Sequence, residues 1–477
     1  MSIELFFSKV AGLIWNYPVV GLCLISGIYF TFFLRFVQFR FFKHAIELIS
    51  GKFDSKEDPG MISHFQALCV SLSGTVGIGN ITGVPIAIGM GGPGAVFWMW
   101  IMGLLGMSVK FVEATLGTLY RKSVEGGDEL RGGPMYYIKE GLSEKWHFLS
   151  SFFAISLAVG AFGIGGIFQS NQAASIIEHQ FAVPEWVTGL ALSFFVGLVI
   201  IGGIKRIGTV ASKLVPFMCG AYLFGGLAIC FLNADTLLSV LTLIVSDAFS
   251  GQAAAGGAVG TVISAGVRRA IFSNEAGLGT APIAHASVKT NYPIREGVVA
   301  SLGPFIDTVI VCSITAFVVL ISGMWQVEGL SGVEITTTSF SRYWPLFGSY
   351  FVPIACLLFA FSTLISWFYY GETAAQFVMG KRFIASYKWI FVTVVFLGTL
   401  SSLSLVINIS DSLTGILVIP NVVAIFLLAK RVKVEMLSYQ SEKQAGFPMT
   451  CRYVESGTPL TTLSKADKKQ KTASPLT

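Results

Sequence analysis

Gly74-Thr75-Val76-Gly77-Ile78-Gly79-Asn80 lies inside an apolar run covering about residues 68–90. It places three glycines in six positions and ends on an asparagine. A membrane-length helix with this composition is expected to unwind here. Unwinding leaves backbone N–H and C=O groups without helical partners, which is tolerated only where protein, water or ligand satisfies them. A second break is expected at Phe272-Ser273-Asn274-Glu275-Ala276-Gly277-Leu278-Gly279. Paired Gly-interrupted spans in the two halves of one chain point to the binding site of a secondary transporter.

The surrounding composition agrees. Of 477 residues, 53% are hydrophobic and 12% charged, with 52 glycines and 40 phenylalanines. A soluble domain carries roughly 25% charge, so this chain is read as many membrane spans rather than several soluble domains. The net charge of +6 is dispersed over short loops and does not suggest a nucleic-acid partner. One mild basic cluster, Lys465, Lys468, Lys469 and Lys471, sits in the C-terminal tail. Cysteines 23, 69, 219, 230, 312 and 356 fall in apolar runs without a C-x-x-C pair, and read as space-filling thiols. The first apolar stretch, 14–34, is longer than a signal-peptide core and lacks a basic flank, so it is expected to be a retained helix.

A helix needs about 20 apolar residues to cross about 30 Å of hydrocarbon. Apolar runs give about eleven crossings: 12–35, 64–90, 93–119, 148–177, 184–203, 209–232, 256–288, 297–322, 350–379, 387–408 and 411–430. The short run 237–250 reads as an interfacial or re-entrant helix. Loops after the odd-numbered crossings carry the Lys and Arg, for example Arg35, Arg40, Lys43, Arg121, Lys122, Lys205 and Arg206. The alternate loops carry Glu178, Glu185, Asp235, Asp247, Glu328, Glu334 and Asp411, with Arg342 the exception. Positive loops stay cytoplasmic, which puts the N-terminus outside and the C-terminus inside. Setting the first crossing aside makes the broken helices the first and sixth of ten, the spacing of a five-plus-five inverted repeat. The expected organisation is an all-α polytopic protein: an N-terminal helix in 1–40, repeats in 62–232 and 233–430, and a polar cytoplasmic tail in 431–477.

At the first break, the half-helix before Gly77 ends in free carbonyls and the one after Gly79 begins with free amides. A carboxylate suits the amides near 78–80, and an ammonium or Na+ suits the carbonyls near 73–76. Glycines that only permit tight helix packing are the plainer alternative; Asn80 and the second break favour a binding site. Gln169 and Gln172 share one helical face, either lining the cavity or joining helices by hydrogen bonds.

These residues also resemble a known family. Thr75-Val76-Gly77-Ile78-Gly79-Asn80 is similar to the unwound first core helix of leucine-transporter-type sodium symporters. The segment Ser273-Asn274-Glu275-Ala276-Gly277-Leu278-Gly279-Thr280-Ala281-Pro282-Ile283-Ala284-His285-Ala286 resembles the strongest signature of the alanine or glycine:cation symporter family. Gly132-Gly133-Pro134-Met135-Tyr136-Tyr137-Ile138 and Ala253-Ala254-Ala255-Gly256-Gly257 are further family-like stretches, and the likeness covers roughly 10–430.

The resemblance implies import of alanine or glycine with Na+, or alternatively H+, across a bacterial cell or inner membrane. It places Na+ among the carbonyls of Ser73, Val76 and Phe359 and the hydroxyls of Ser362 and Thr363. A second cation site is expected near Thr75 and Asn80. The expected substrate set is Gly77, Ile78, Gly79, Asn80, Gln169, Gln172, Phe272, Ser273, Asn274, Thr363 and Trp367, the aromatics walling a small pocket.

Ionisable residues within spans are functional candidates. Arg268 and Arg269 precede the second break, and a salt bridge to Glu275 or Asp307 is expected to gate it. Lys110 and Glu113, three apart, read as a mutual pair, and His285 as a packing residue. A channel would want filter repeats, and an intramembrane enzyme a metal or nucleophile motif. Neither pattern is present, nor is the G-x-x-x-x-G-K-[ST] phosphate loop of an ATP-driven pump. A proton-coupled carrier of another small amino acid is the nearest alternative.

Overall fold

The computed structural model describes residues 3–16, 18–123, 129–250, 259–330 and 332–445. Nearly all of it is helical. Among the described residues, eight helices are long and apolar enough to cross a membrane, and the bent pair His64–Thr75 and Ile78–Gly91 makes nine. The eleven expected crossings also count Glu185–Ile200, with 16 residues, and the interrupted segment from Val259–Asn274 to Ala281–His285.

Local chemistry explains the boundaries near the site. Ser63 caps the first half-helix: its hydroxyl accepts from the Gln66 amide at 3.2 Å, while Gln66 Oε1 accepts from the Ser63 amide at 3.0 Å. The helix ends at Thr75, Val76 and Gly77 are extended, and the chain re-enters a helix at Ile78 with a 44° bend. Downstream, residues 275–280 leave the helical path, with Glu275, Gly277 and Gly279 at φ of 55°, 97° and 79°. Left-handed backbone is cheap for glycine and costly for glutamate.

Two π-helical stretches feed the same region. Ala161–Ile167 leads into Phe168 and Gln169, and Phe305–Cys312 carries Asp307 and Thr308. Such widened turns recur at functional sites, and periodicity in sequence does not reveal them. Helix Phe347–Met379, completed by Val352–Met379, packs against both halves of the first broken helix.

Three boundary expectations change. The first crossing starts earlier than expected, as one candidate span over Glu4–Phe33 whose described helical residues are Ile3–Asn16 and Pro18–Phe33. The last two crossings are Ile384–Thr399 and Leu403–Leu427, so the turn falls at 400–402 instead of 409–410. Asp411, expected in a loop, is therefore inside a helix and buried. The run 237–250 belongs to a 17-residue helix, Ala234–Ser250. Ala253–Gly257 and the lysine cluster of the tail lie outside the described residues; helix Ala429–Gln444 begins the tail.

Candidate functional site

Gly77 and Asn80 build the first break from within. Gly77 N–H donates to Asn80 Oδ1 at 2.9 Å, so the asparagine caps the second half-helix from its third position. Asn80 Nδ2 then faces Ser273 Oγ at 3.0 Å and Asp307 Oδ1 at 2.6 Å. Asp307 Oδ2 accepts from the hydroxyls of Ser273 at 2.8 Å and Thr308 at 2.7 Å, and Asn274 Nδ2 donates to Thr308 Oγ1 at 3.0 Å. One fully buried carboxylate thus joins the two broken helices through neutral donors. A carboxylate in this setting is costly unless a cation compensates it.

The opposite face of the break meets helix Val352–Met379. Ser73 Oγ donates to the Ser362 carbonyl at 2.5 Å. Ser362 and Thr363 hydroxyls both donate to the Phe359 carbonyl at 2.9 Å. A Cβ at Gly77 would stand 2.7 Å from Thr363 Oγ1 and 3.4 Å from Gln169 Oε1, so only glycine allows this approach. Of the expected Na+ set, Ser73, Phe359, Ser362 and Thr363 are joined by these hydrogen bonds, and Val76 caps the C-terminal end of the half-helix that carries Ser73. Hard oxygens at that density suit an alkali cation.

Trp367 and Phe272 also reach the break. Trp367 Nε1–H donates to the Gly74 carbonyl at 3.3 Å, and Phe272 would be in ordinary contact with a Cβ at Gly79, at 3.5 Å. Phe168, overlooked in sequence, meets Phe272 edge-to-face with ring centroids 5.3 Å apart. The buried Gln169 Oε1 and Ser366 Oγ have no hydrogen-bond partner. Of these, Gln169 Oε1 faces the unwound turn at Gly77, and a buried polar atom calls for a partner.

Other expected residues point elsewhere. Gln172 Nε2 bonds Asn171 Oδ1 at 3.2 Å, and Asn171 holds the carbonyls of Gly398 and Ser401. Asn171 thus acts as the interhelical link, and Gln172 bonds its neighbour within the same helix. The Thr75 hydroxyl turns back to the Ser71 and Leu72 carbonyls of its own helix, at 3.2 and 3.3 Å. Asn80's polar neighbours come instead from the second break and Asp307.

The expected salt bridges of the gate are corrected. Arg268 pairs directly with Asp411, and Arg269 lies 3.7 Å from the same carboxylate. Glu275 accepts from the Thr280 hydroxyl at 2.5 Å, and Asp307 is taken up by Asn80, Ser273 and Thr308. The cause is position: Arg268 and Arg269 lie on the helix before the break, whereas Glu275 sits within it.

Lys110 and Glu113 do not pair either. Glu113 Oε1 accepts from the amides of Gly277 and Gly279 at 3.1 and 3.2 Å and from Asn421 Nδ2 at 2.5 Å, while Lys110 Nζ has no hydrogen-bond partner. Glu113 therefore replaces the lost helical acceptors of the second break. His285 is more than packing: Nδ1 meets Glu296 Oε2 at 2.6 Å, and His64 Nδ1 bonds the other carboxylate oxygen.

Known proteins share this architecture. The family model described as "Sodium:alanine symporter family" matches residues 1–452. A sodium/alanine symporter of Methanococcus maripaludis is 40% identical over 427 residues, covering 88% of this chain and 94% of its own length. Two Bacillus subtilis proteins are each 39% identical: a probable sodium/glutamine symporter (91% and 90% covered) and a putative sodium/proton-dependent alanine carrier (92% and 93% covered). Among solved structures, MhsT in complex with L-phenylalanine aligns at TM-score 0.55 and 14% identity, covering 82% of this chain and 93% of that one. The fold is of the leucine-transporter type, and the chain belongs to the sodium:alanine symporter family.

Proposed function

We propose that the chain imports a small neutral amino acid, alanine and/or glycine, together with Na+ by alternating access. The observation that carries this reading is the first break. Its backbone is pinned on one side by Asn80 to Ser273 and Asp307, and pressed on the other against Ser362 and Thr363. Na+ among the oxygens of Ser73, Val76, Phe359, Ser362 and Thr363 would steady the ends of two half-helices. A second cation beside Asn80, Ser273 and Asp307 would compensate the buried carboxylate.

The amides at 77–80 then suit the substrate carboxylate, and Phe272, Phe168 and Trp367 would wall the pocket for a small side chain. Arg268, Arg269 and Asp411 form the external gate. The two repeats, 62–232 and 233–430, carry the alternation, with the N-terminus outside, the C-terminus inside and the plasma membrane as location. If Na+ and substrate favour the same closed state, each raises the other's affinity.

Radiolabelled alanine uptake into proteoliposomes, with Na+, K+ and pH gradients imposed separately, tests the reading. Saturable uptake driven by inward Na+ supports it. Uptake driven only by a proton gradient, or only of a larger amino acid such as glutamine, selects the alternative suggested by the two Bacillus subtilis relatives.

A further inference from the structure

Helix Ile3–Asn16 stands ahead of the ten-helix core, yet one of its side chains reaches the charged pair at Asp411. Trp15 is 1% exposed. Its Nε1–H donates to the Asp411 carbonyl oxygen at 2.8 Å, and its ring lies under the Arg268 guanidinium, 5.4 Å from centroid to Cζ. Arg268 Nη2 pairs with the Asp411 carboxylate, and Arg268 Nε has no hydrogen-bond partner. The indole thus touches both members of the pair at once: the backbone of the acid and the flat face of the base. A guanidinium stacked on an aromatic face is favoured most where water is excluded.

The rest of that helix is anchored independently. Ser412 Oγ donates to the Phe7 carbonyl at 2.9 Å, and Gly415 leaves room for Ile14, whose Cγ2 would be 2.3 Å from a Cβ there. Packing of the helix on Leu403–Leu427 therefore does not depend on Trp15 alone. We infer that Trp15 is a positioning residue of the external gate, holding Arg268 and Asp411 in register so that Arg269, 3.7 Å from the same carboxylate, stays over the Phe272 ring, 5.8 Å from centroid to Cζ. The inference rests on the proposed gate and extends it to a helix outside the inverted repeat.

Gly83 supplies a reporter, because a Cβ there would meet only Arg269 Cδ, at 3.9 Å. In cells expressing the full chain with Gly83→Cys, a membrane-impermeant maleimide is applied in Na+, with and without alanine. Labelling is measured against the chain lacking that cysteine. In the closed condition, Trp15→Ala is expected to label at least about threefold faster, as a loosened two-state gate would. Asp411→Asn is expected to do the same, and the double variant to label no faster than Asp411→Asn alone. Parent-like labelling of Trp15→Ala, or an effect that adds fully to that of Asp411→Asn, overturns the inference.

Should Trp15→Ala fail to reach the membrane, Trp15→Phe decides, because it keeps a ring and removes only the N–H. Labelling between the parent and Asp411→Asn supports the role, and parent-like labelling overturns it. Alanine uptake by the parent is scored separately. A parent that does not take up alanine sinks the cargo assignment, while the labelling comparison in Na+ alone still judges Trp15.

Discussion

Asn80 Nδ2 sits 2.6 Å from Asp307 Oδ1, although 227 residues separate them in the chain. The same asparagine accepts the Gly77 amide. One side chain therefore couples the unwound turn of the first broken helix to a carboxylate beside the second. A change at either end is transmitted to the other, because the amide cannot satisfy both partners from a different rotamer.

Asn80→Ala removes the acceptor for Gly77 and a donor to Asp307. Each buried group left unpaired costs about 1–3 kcal/mol. Uptake is expected to fall roughly a hundredfold, the equivalent of about 3 kcal/mol, while membrane insertion persists. Proteoliposome flux alongside size-exclusion profiles checks both; near-parental flux would remove Asn80 from the site.

Gly77→Ala forces a Cβ to within 2.7 Å of Thr363 Oγ1, a distance that side chains do not sustain. Overpacking of this kind costs about 1–3 kcal/mol. The variant should need more Na+ for half-maximal uptake. Adding Thr363→Ala should restore the melting temperature without restoring the Na+ response. Recovery of both would show that Thr363 only fills space.

Glu113→Ala strands the amides of Gly277 and Gly279 and removes one of two acceptors of Asn421 Nδ2, which keeps the Gly277 carbonyl. Leaving two buried amides without an acceptor is expected to cost about 2 kcal/mol or more, each orphan contributing about 1 or more. Glu113→Gln, which keeps one carbonyl oxygen, should cost visibly less. Thermal unfolding of the purified protein in detergent measures the order, and equal losses for the two variants would argue against this account.

Glu296 holds His64 from the start of the first half-helix and His285 from the end of the segment after the second break. Removing one side of a buried charged cluster costs about 3–5 kcal/mol. Glu296→Ala should therefore lower the melting temperature more than Glu296→Gln, which can still accept from one imidazole. The comparison is made at constant pH, and identical melting curves for the two would sink the claim.

Much of the architecture was readable along the chain because its signals are local. Gly77 and Asn80 in an apolar run mark a helix that cannot stay wound there. Gly277 and Gly279 mark a turn needing positive φ, and Ser362-Thr363 offers hydroxyls on one helix. Boundaries near Asp411 were misread because hydropathy cannot distinguish an acid in a loop from one buried within a helix by an arginine.

Residue type and spacing by themselves determined that this chain crosses a membrane repeatedly and unwinds twice, since backbone geometry and transfer from water act over a few residues. Tertiary structure alone decided the partners: Asp411 for Arg268 across 143 positions, Asp307 for Asn80, and Glu113 for the amides of Gly277 and Gly279. A buried charge takes whichever compensating group the packed helices bring within hydrogen-bond reach, and that choice is made in three dimensions.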